Sequence, residues 1–242
     1  MKFKSTFLSS ILAGVVFSFS SAVTLVGQNT DALSVALMYP VGLIIILMLD
    51  LGFFSKKIGY LFTDPKMFDN HFEEIPVLLI GNCAGAIISG IILHPVFEEQ
   101  FYAAALSYTS THFLITLASA FFCGILMFIA IHAFTRTNGS GTGIFITFLA
   151  AAMIGFCKFD YYLTDLFYFA GALRFSTTRM WFLVFSIFGN FAGAYTFAAI
   201  YDAQKSKKKR RHHSHHHHHN HHHHHHQEES DGTEETSAEE NK

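Results

Sequence analysis

The chain has 242 residues, 51% of them hydrophobic and only 14% charged, with a formal net charge of −2 and 28 phenylalanines. The polar residues gather at the C-terminal end, so the first two hundred are more apolar than the average and read as membrane-embedded rather than as a water-soluble domain. Cys83, Cys123 and Cys157 are separated from each other and lack metal-ligand spacing, so no disulfide framework or zinc site is readable and their default reading is small apolar packing residues.

Apolar windows of about twenty residues, enough to cross a hydrocarbon core of roughly 30 Å, occur near 5–26, 33–54, 75–94, 112–134, 143–171 and 180–201. Six spans are expected. The first has a competing reading, because Lys2 and Lys4, the apolar run Phe7 to Phe19 and then Ser20-Ser21-Ala22 have the layout of a cleavable signal peptide. Against that, Leu12-Ala13-Gly14-Val15-Val16 echoes Phe122-Cys123-Gly124-Ile125-Leu126, so the segment reads as a retained first helix.

A clearer echo joins Gly81-Asn82-Cys83-Ala84-Gly85-Ala86 to Gly189-Asn190-Phe191-Ala192-Gly193-Ala194, 108 positions apart (189 − 81). Self-similarity at that period, in a chain of membrane-length segments, indicates two related halves. Gly81, Asn82 and Gly85, with Gly189, Asn190 and Gly193, suit helices whose backbones approach closely in a bilayer. Three spans per half is an odd number, so the halves are expected to be inverted across the membrane plane.

Alternating the loops puts Lys2, Lys4, Lys56, Lys57, Lys66, Arg136 and the cluster Lys205 to Arg211 on one side, against Arg174 and Arg179 on the other. Both termini are therefore expected in the cytoplasm. The run Leu49 to Lys57 ends the second window, and its plain reading is a span closed by interfacial lysines. Lys158, inside the fifth window, demands more: a charged lysine at a helix centre costs about 2.5–3.5 kcal/mol, so it marks either a pathway or a pairing with Asp160 or Asp165. It is read as functional.

From Lys205 the composition changes abruptly, dividing the chain into a transmembrane domain, 1–204, and a tail, 205–242. The tail has a basic cluster, then histidines from His212 to His226 broken only by Ser214 and Asn220, then an acidic end. It is expected to be disordered. The basic cluster suits anionic lipid headgroups, not nucleic acid. His212, His213, His215, His216, His217, His218 and His219 could chelate zinc or nickel without fixed geometry, although no cofactor is required. His94, His112 and His132, near span ends, form no ligand set, and no nucleophile–base pair or phosphate loop suggests an enzyme.

These residues resemble the formate/nitrite transporter family over nearly all of 5–202. Leu12-Ala13-Gly14 is similar to the family's opening helix, Gly81-Asn82 and Gly189-Asn190 to its third and sixth, and Gly124-Ile125-Leu126 to its fourth. Gly155-Phe156-Cys157-Lys158 falls where the family has Gly-Phe-Glu-His, and Asp165 to Gly171 resembles its Asn-Met-Phe-Phe-Ile-Pro-Ala-Gly continuation. The resemblance implies an all-α, six-helix, aquaporin-like protomer of two inverted three-helix repeats, with helices 2 and 5 interrupted. It further implies a homopentamer whose protomers each carry a pore for small monovalent anions of weak acids, passive or proton-coupled.

On that likeness Phe53-Phe54-Ser55 form the interrupted second helix, with phenylalanine at a constriction and Ser55 facing the permeant, while Tyr39 and Leu43 line a slit. The departures are Lys158 for the central histidine, Cys157 for the glutamate before it, Ala151 for a large aromatic, and about three extra residues around Tyr161-Tyr162-Leu163 before Asp165. Lys56 and Lys57 could then face the pore. Lys158 is expected to attract the anion or give it a proton, and Lys158→Met to abolish uptake. A lysine there also resembles members proposed to carry hydrosulfide. A metal-handling membrane protein working through its histidine tail is the reading from another class.

Overall fold

In the computed structural model, residues 2–27, 31–58, 61, 73–107 and 112–228 are described, with side chains described within those limits from Phe3 to Lys205. Lys66 and the side chains of the histidine tract, His212 to His226, lie outside the described residues. All regular structure among the described residues is helical. In order the helices are α1 (Lys2–Val26), α2 (Ala32–Met38), α3 (Pro40–Met48), α4 (Phe54–Ile58), α5 (Glu74–Leu93), α6 (Glu98–Ser107), α7 (Phe113–Arg136), α8 (Gly141–Cys157), α9 (Tyr162–Gly171) and α10 (Thr177–Glu228).

Among the described residues four helices are long and apolar enough to cross a membrane: Phe3–Val26, Glu74–Leu93, Phe113–Arg136 and Thr177–Lys205. The pair α8 and α9, bent by 50°, makes a fifth if its two pieces form one span. The window expected at 33–54 is broken more heavily. Pro40, the first residue of α3, lacks the N–H that would continue the ladder from α2, and the helix stops at Met48, leaving a shorter apolar stretch, Ala32–Met48.

Glycine sets how closely the long helices meet. A Cβ on Gly85 would stand 2.2 Å from the Ile11 carbonyl oxygen of α1, and one on Gly14 2.2 Å from that of Asn82 in α5. The pairing of α7 with α10 repeats this, at 2.1 Å from Gly124 to the Asn190 oxygen and 1.9 Å from Gly193 to the Phe121 oxygen. In both pairs backbone touches backbone, and any side chain at these glycines would force the helices apart. Outside these seams the helices expose large apolar residues such as Leu12, Ile92, Phe145, Met153 and Phe188. Such a surface suits lipid or neighbouring subunits rather than water.

The chain divides into two units, Met1–Ala198 and Ala199–Lys242. α10 is assigned to Glu228.

Candidate functional site

Two breaks in the helical backbone, 108 residues apart, share one hydrogen-bond scheme. At the first, α3 ends through Asp50 in the left-handed region (φ 50°), with Leu51 N–H donating to the Ile46 carbonyl at 3.0 Å. At the second, α8 ends through Lys158 (φ 54°), with Phe159 N–H donating to the Ile154 carbonyl at 3.1 Å. Both are helix ends closed by a left-handed residue.

The broken backbone is then satisfied by one asparagine on each side. Asn82 Oδ1 accepts from Phe54 N–H at 2.8 Å, and its Nδ2 donates to the carbonyls of Gly52 and Ser10, each at 2.8 Å. Asn190 Oδ1 accepts from Tyr162 N–H at 3.1 Å, and its Nδ2 donates to the carbonyls of Asp160 (3.1 Å) and Ala120 (2.8 Å). Ser9 Oγ accepts from Gly52 N–H and Ser119 Oγ from Asp160 N–H, each at 2.8 Å. An unpaired amide costs several kcal/mol in hydrocarbon, and a carboxamide offers both donors and an acceptor, so asparagine suits a helix broken within a bilayer. The two asparagines thus do more than pack: each caps the half-helix that follows its break.

The capped half-helices bring their leading aromatics together. Phe17 of α1 stacks on Phe53 with ring centroids 5.7 Å apart, lies 4.7 Å from the Tyr161 ring, and meets Tyr39 edge-on at 6.1 Å. Tyr161 and Tyr162 are 4.8 Å apart, and Phe54 meets Tyr162 edge-on at 5.9 Å. Within this cage the Ser55 Oγ and Tyr161 hydroxyl oxygen are 2.7 Å apart. The cavity that Ser55, Tyr161, Tyr162, Phe54, Met127 and Phe128 help to enclose leaves only about 10 Å³ for the centre of a water-sized sphere. That is room for about one water.

Half-helix α9 is buried at every one of its residues. Two hydroxyl pairs fasten it to α1, Ser21 Oγ to Thr164 Oγ1 at 3.0 Å and Thr24 Oγ1 to the Tyr168 hydroxyl at 2.5 Å. His94 Nδ1 donates to the Gly171 carbonyl at its far end, at 2.7 Å.

The candidates from sequence fall into two groups. Tyr39, Leu43, Phe53, Phe54, Ser55 and Asp165 are buried, Asp165 in the first turn of α9, where the helix dipole favours a carboxylate. The lysines lie elsewhere. Lys56 pairs with Asp50, and Lys57 with Glu74 at 2.6 Å, beside a polar cleft of about 290 Å³ that Ser5, Thr6 and Ser9 also line. Lys158 is exposed, takes part in no ion pair among the described residues, and is absent from the lining of the Ser55 cavity.

The residue that meets Ser55 is Tyr161, and the residues counted as an insertion after Lys158 are the break itself and the start of α9. Sequence reasoning passed over Tyr161, Tyr162 and Phe17. The 108-residue offset carried the signal, since it pairs Phe53 with Tyr161 (161 − 53) and Asp50 with Lys158 (158 − 50). Among the described residues no group of three or more histidine, cysteine, aspartate or glutamate side chains could hold a metal ion.

Apolar helices of membrane length, two interrupted helices and a closed aromatic cage define a multi-pass membrane protein of the channel and transporter class. Residues 1–204 match the family model described as formate/nitrite transporter, and the chain belongs to that family. The fold is similar to that of a pentameric formate channel with formate bound, at 16% identity and a TM-score of 0.65, covering 83% of this chain and 96% of that one. It is similar also to an FNT family ion channel, at 14% identity and a TM-score of 0.66, covering 82% and 87%. No curated protein matches.

Proposed function

We propose that the protein is a channel or transporter for small monovalent anions of weak acids, of the formate/nitrite class, working as a homopentamer in the cell membrane with a path through each protomer and both termini in the cytoplasm. The observation that carries this reading is the Ser55–Tyr161 hydroxyl pair, set in an aromatic cage where two asparagine-capped half-helices meet. Family membership and the solved pentameric formate channel support the substrate class and the assembly.

A bare anion loses most of its hydration among phenylalanine and tyrosine rings, at a cost of several kcal/mol. Association with a proton removes most of that cost, and a hydroxyl pair supplies hydrogen bonds to the neutral acid. Lys56 and Lys57, each paired with a carboxylate that lines the same polar cleft, Asp50 and Glu74, sit on the cytoplasmic side in this reading by the distribution of charged loops. In this reading the hydrogen bonding at the constriction comes from Ser55 and Tyr161, which line the cavity, and not from Lys158, which does not.

Purified protein in proteoliposomes, given formate, nitrite, lactate, acetate and hydrosulfide at two pH values, tests the reading. Flux of at least one of these above protein-free vesicles is expected. No protein-dependent flux of any would overturn it.

A further inference from the structure

The two halves carry different chemistry beside their breaks. Equivalent positions lie 110 apart between α1 and α7, where Ser9 and Ser119 accept from the amides of Gly52 and Asp160 (119 − 9), and 108 apart beyond those helices, as Gly52 and Asp160 do themselves (160 − 52). At the first break a Cβ on Gly52 would stand 3.0 Å from the Leu78 side chain and 3.3 Å from the Thr6 carbonyl oxygen. The equivalents at the second break are Ser186 (186 − 78) and Thr116 (116 − 6). Where the first half sets a glycine against a leucine, the second therefore starts a carboxylate out towards a serine and a threonine.

Three observations suit this place to a cation. Asp160 is half-buried and takes part in no ion pair among the described residues, with Lys158 or any other base. The hydroxyls of Thr116 and Ser186, both residues 0% exposed, have no hydrogen-bond partner among the described residues. Half-helix α8 ends at Cys157, just before Asp160, and turns the negative end of its dipole to the break. Interrupted helices hold coupling sodium ions in membrane transport proteins through such C-terminal ends and unwound carbonyls. A single carboxylate balances a single charge, and donors that are all oxygen suit a hard ion, so the fit is to sodium rather than to a divalent or a soft metal.

We propose that Asp160, with the hydroxyls of Thr116 and Ser186, binds a sodium ion beside the second break, and that the bound ion activates anion passage without itself being carried. The activation rests on the channel reading above. Asp160 directly precedes Tyr161, whose ring lies 4.7 Å from that of Phe17 in the aromatic cage. An ionised carboxylate there repels an approaching anion, and a bound sodium ion cancels that charge.

Two measurements on the full chain test the proposal. Binding of radioactive sodium to the purified protein in detergent, read by scintillation proximity, should saturate, and should be lost in Asp160→Asn, which keeps the main-chain bonds of residue 160 to Ser119 and Asn190. Formate flux into proteoliposomes should run several-fold faster in sodium than in choline at equal ionic strength, with no sodium accumulated, and Asp160→Asn should abolish the difference. Ser186→Ala, the milder change should the aspartate variant fail to assemble, should weaken sodium binding several-fold. No saturable sodium binding to the wild type, or binding unchanged in both variants, overturns the site. Equal formate flux in the two media overturns the activation and leaves the channel reading standing. If sodium binds but formate moves in neither medium, the channel reading falls, and the activation with it, while the site stands.

Discussion

The hydroxyl oxygens of Ser55 and Tyr161 lie 2.7 Å apart although 106 residues separate them in the chain. Each stands at the start of a half-helix, so their contact registers the two breaks against each other. If the pair acts as one unit, Ser55→Ala and Tyr161→Phe should each lower formate flux by about tenfold, and the double variant should fall no further than the worse single one. Multiplying losses in a proteoliposome assay would mean that the two hydroxyls act independently.

Asn82 and Asn190 make equivalent sets of three hydrogen bonds to broken backbone. Replacing either with leucine strands one N–H and two carbonyls, each worth about 1–3 kcal/mol when buried. Asn82→Leu and Asn190→Leu are expected to lower the thermal midpoint in detergent by similar, large amounts. A variant that melts with the wild type would show that its cap is dispensable.

Gly85 and Gly193 face carbonyl oxygens at 2.2 and 1.9 Å from where a Cβ would stand, whereas Gly141, at the start of α8, has nothing within 4 Å. Gly85→Val and Gly193→Val should prevent assembly, read by size-exclusion chromatography. Gly141→Ala should assemble normally.

The family match ends at residue 204, before the basic and histidine-rich tail. A chain ending at Gln204 is expected to keep its formate flux within about twofold, since a screened surface charge cluster changes local anion supply only modestly. Retention on immobilised nickel should be lost. A large loss of flux would give the tail a part in permeation.

The apolar runs and the Gly-Asn-x-Ala-Gly-Ala duplication made the helices legible, because length and small residues are what a bilayer demands of a span and a packed seam. The breaks were harder to read. Their left-handed residues are Asp50 and Lys158, not glycine, so the usual punctuation is missing. The capping partners are 28 residues away, a distance no local pattern spans. Lys158 drew attention as a charge within an apolar window, but a helix that ends in a left-handed turn carries its last residue out of the stripe its neighbours follow. Tyr161, an ordinary aromatic among many, gave no local signal and was recoverable only by laying one half of the chain on the other.

The most direct test compares formate flux into proteoliposomes for the wild type, Tyr161→Phe and Lys158→Asn. Asparagine tolerates the left-handed backbone at 158, so that variant removes the charge and keeps the turn. The account predicts flux near the wild-type rate for Lys158→Asn and about a tenfold loss, one hydrogen bond's worth, for Tyr161→Phe. Flux abolished by Lys158→Asn and untouched by Tyr161→Phe would contradict it.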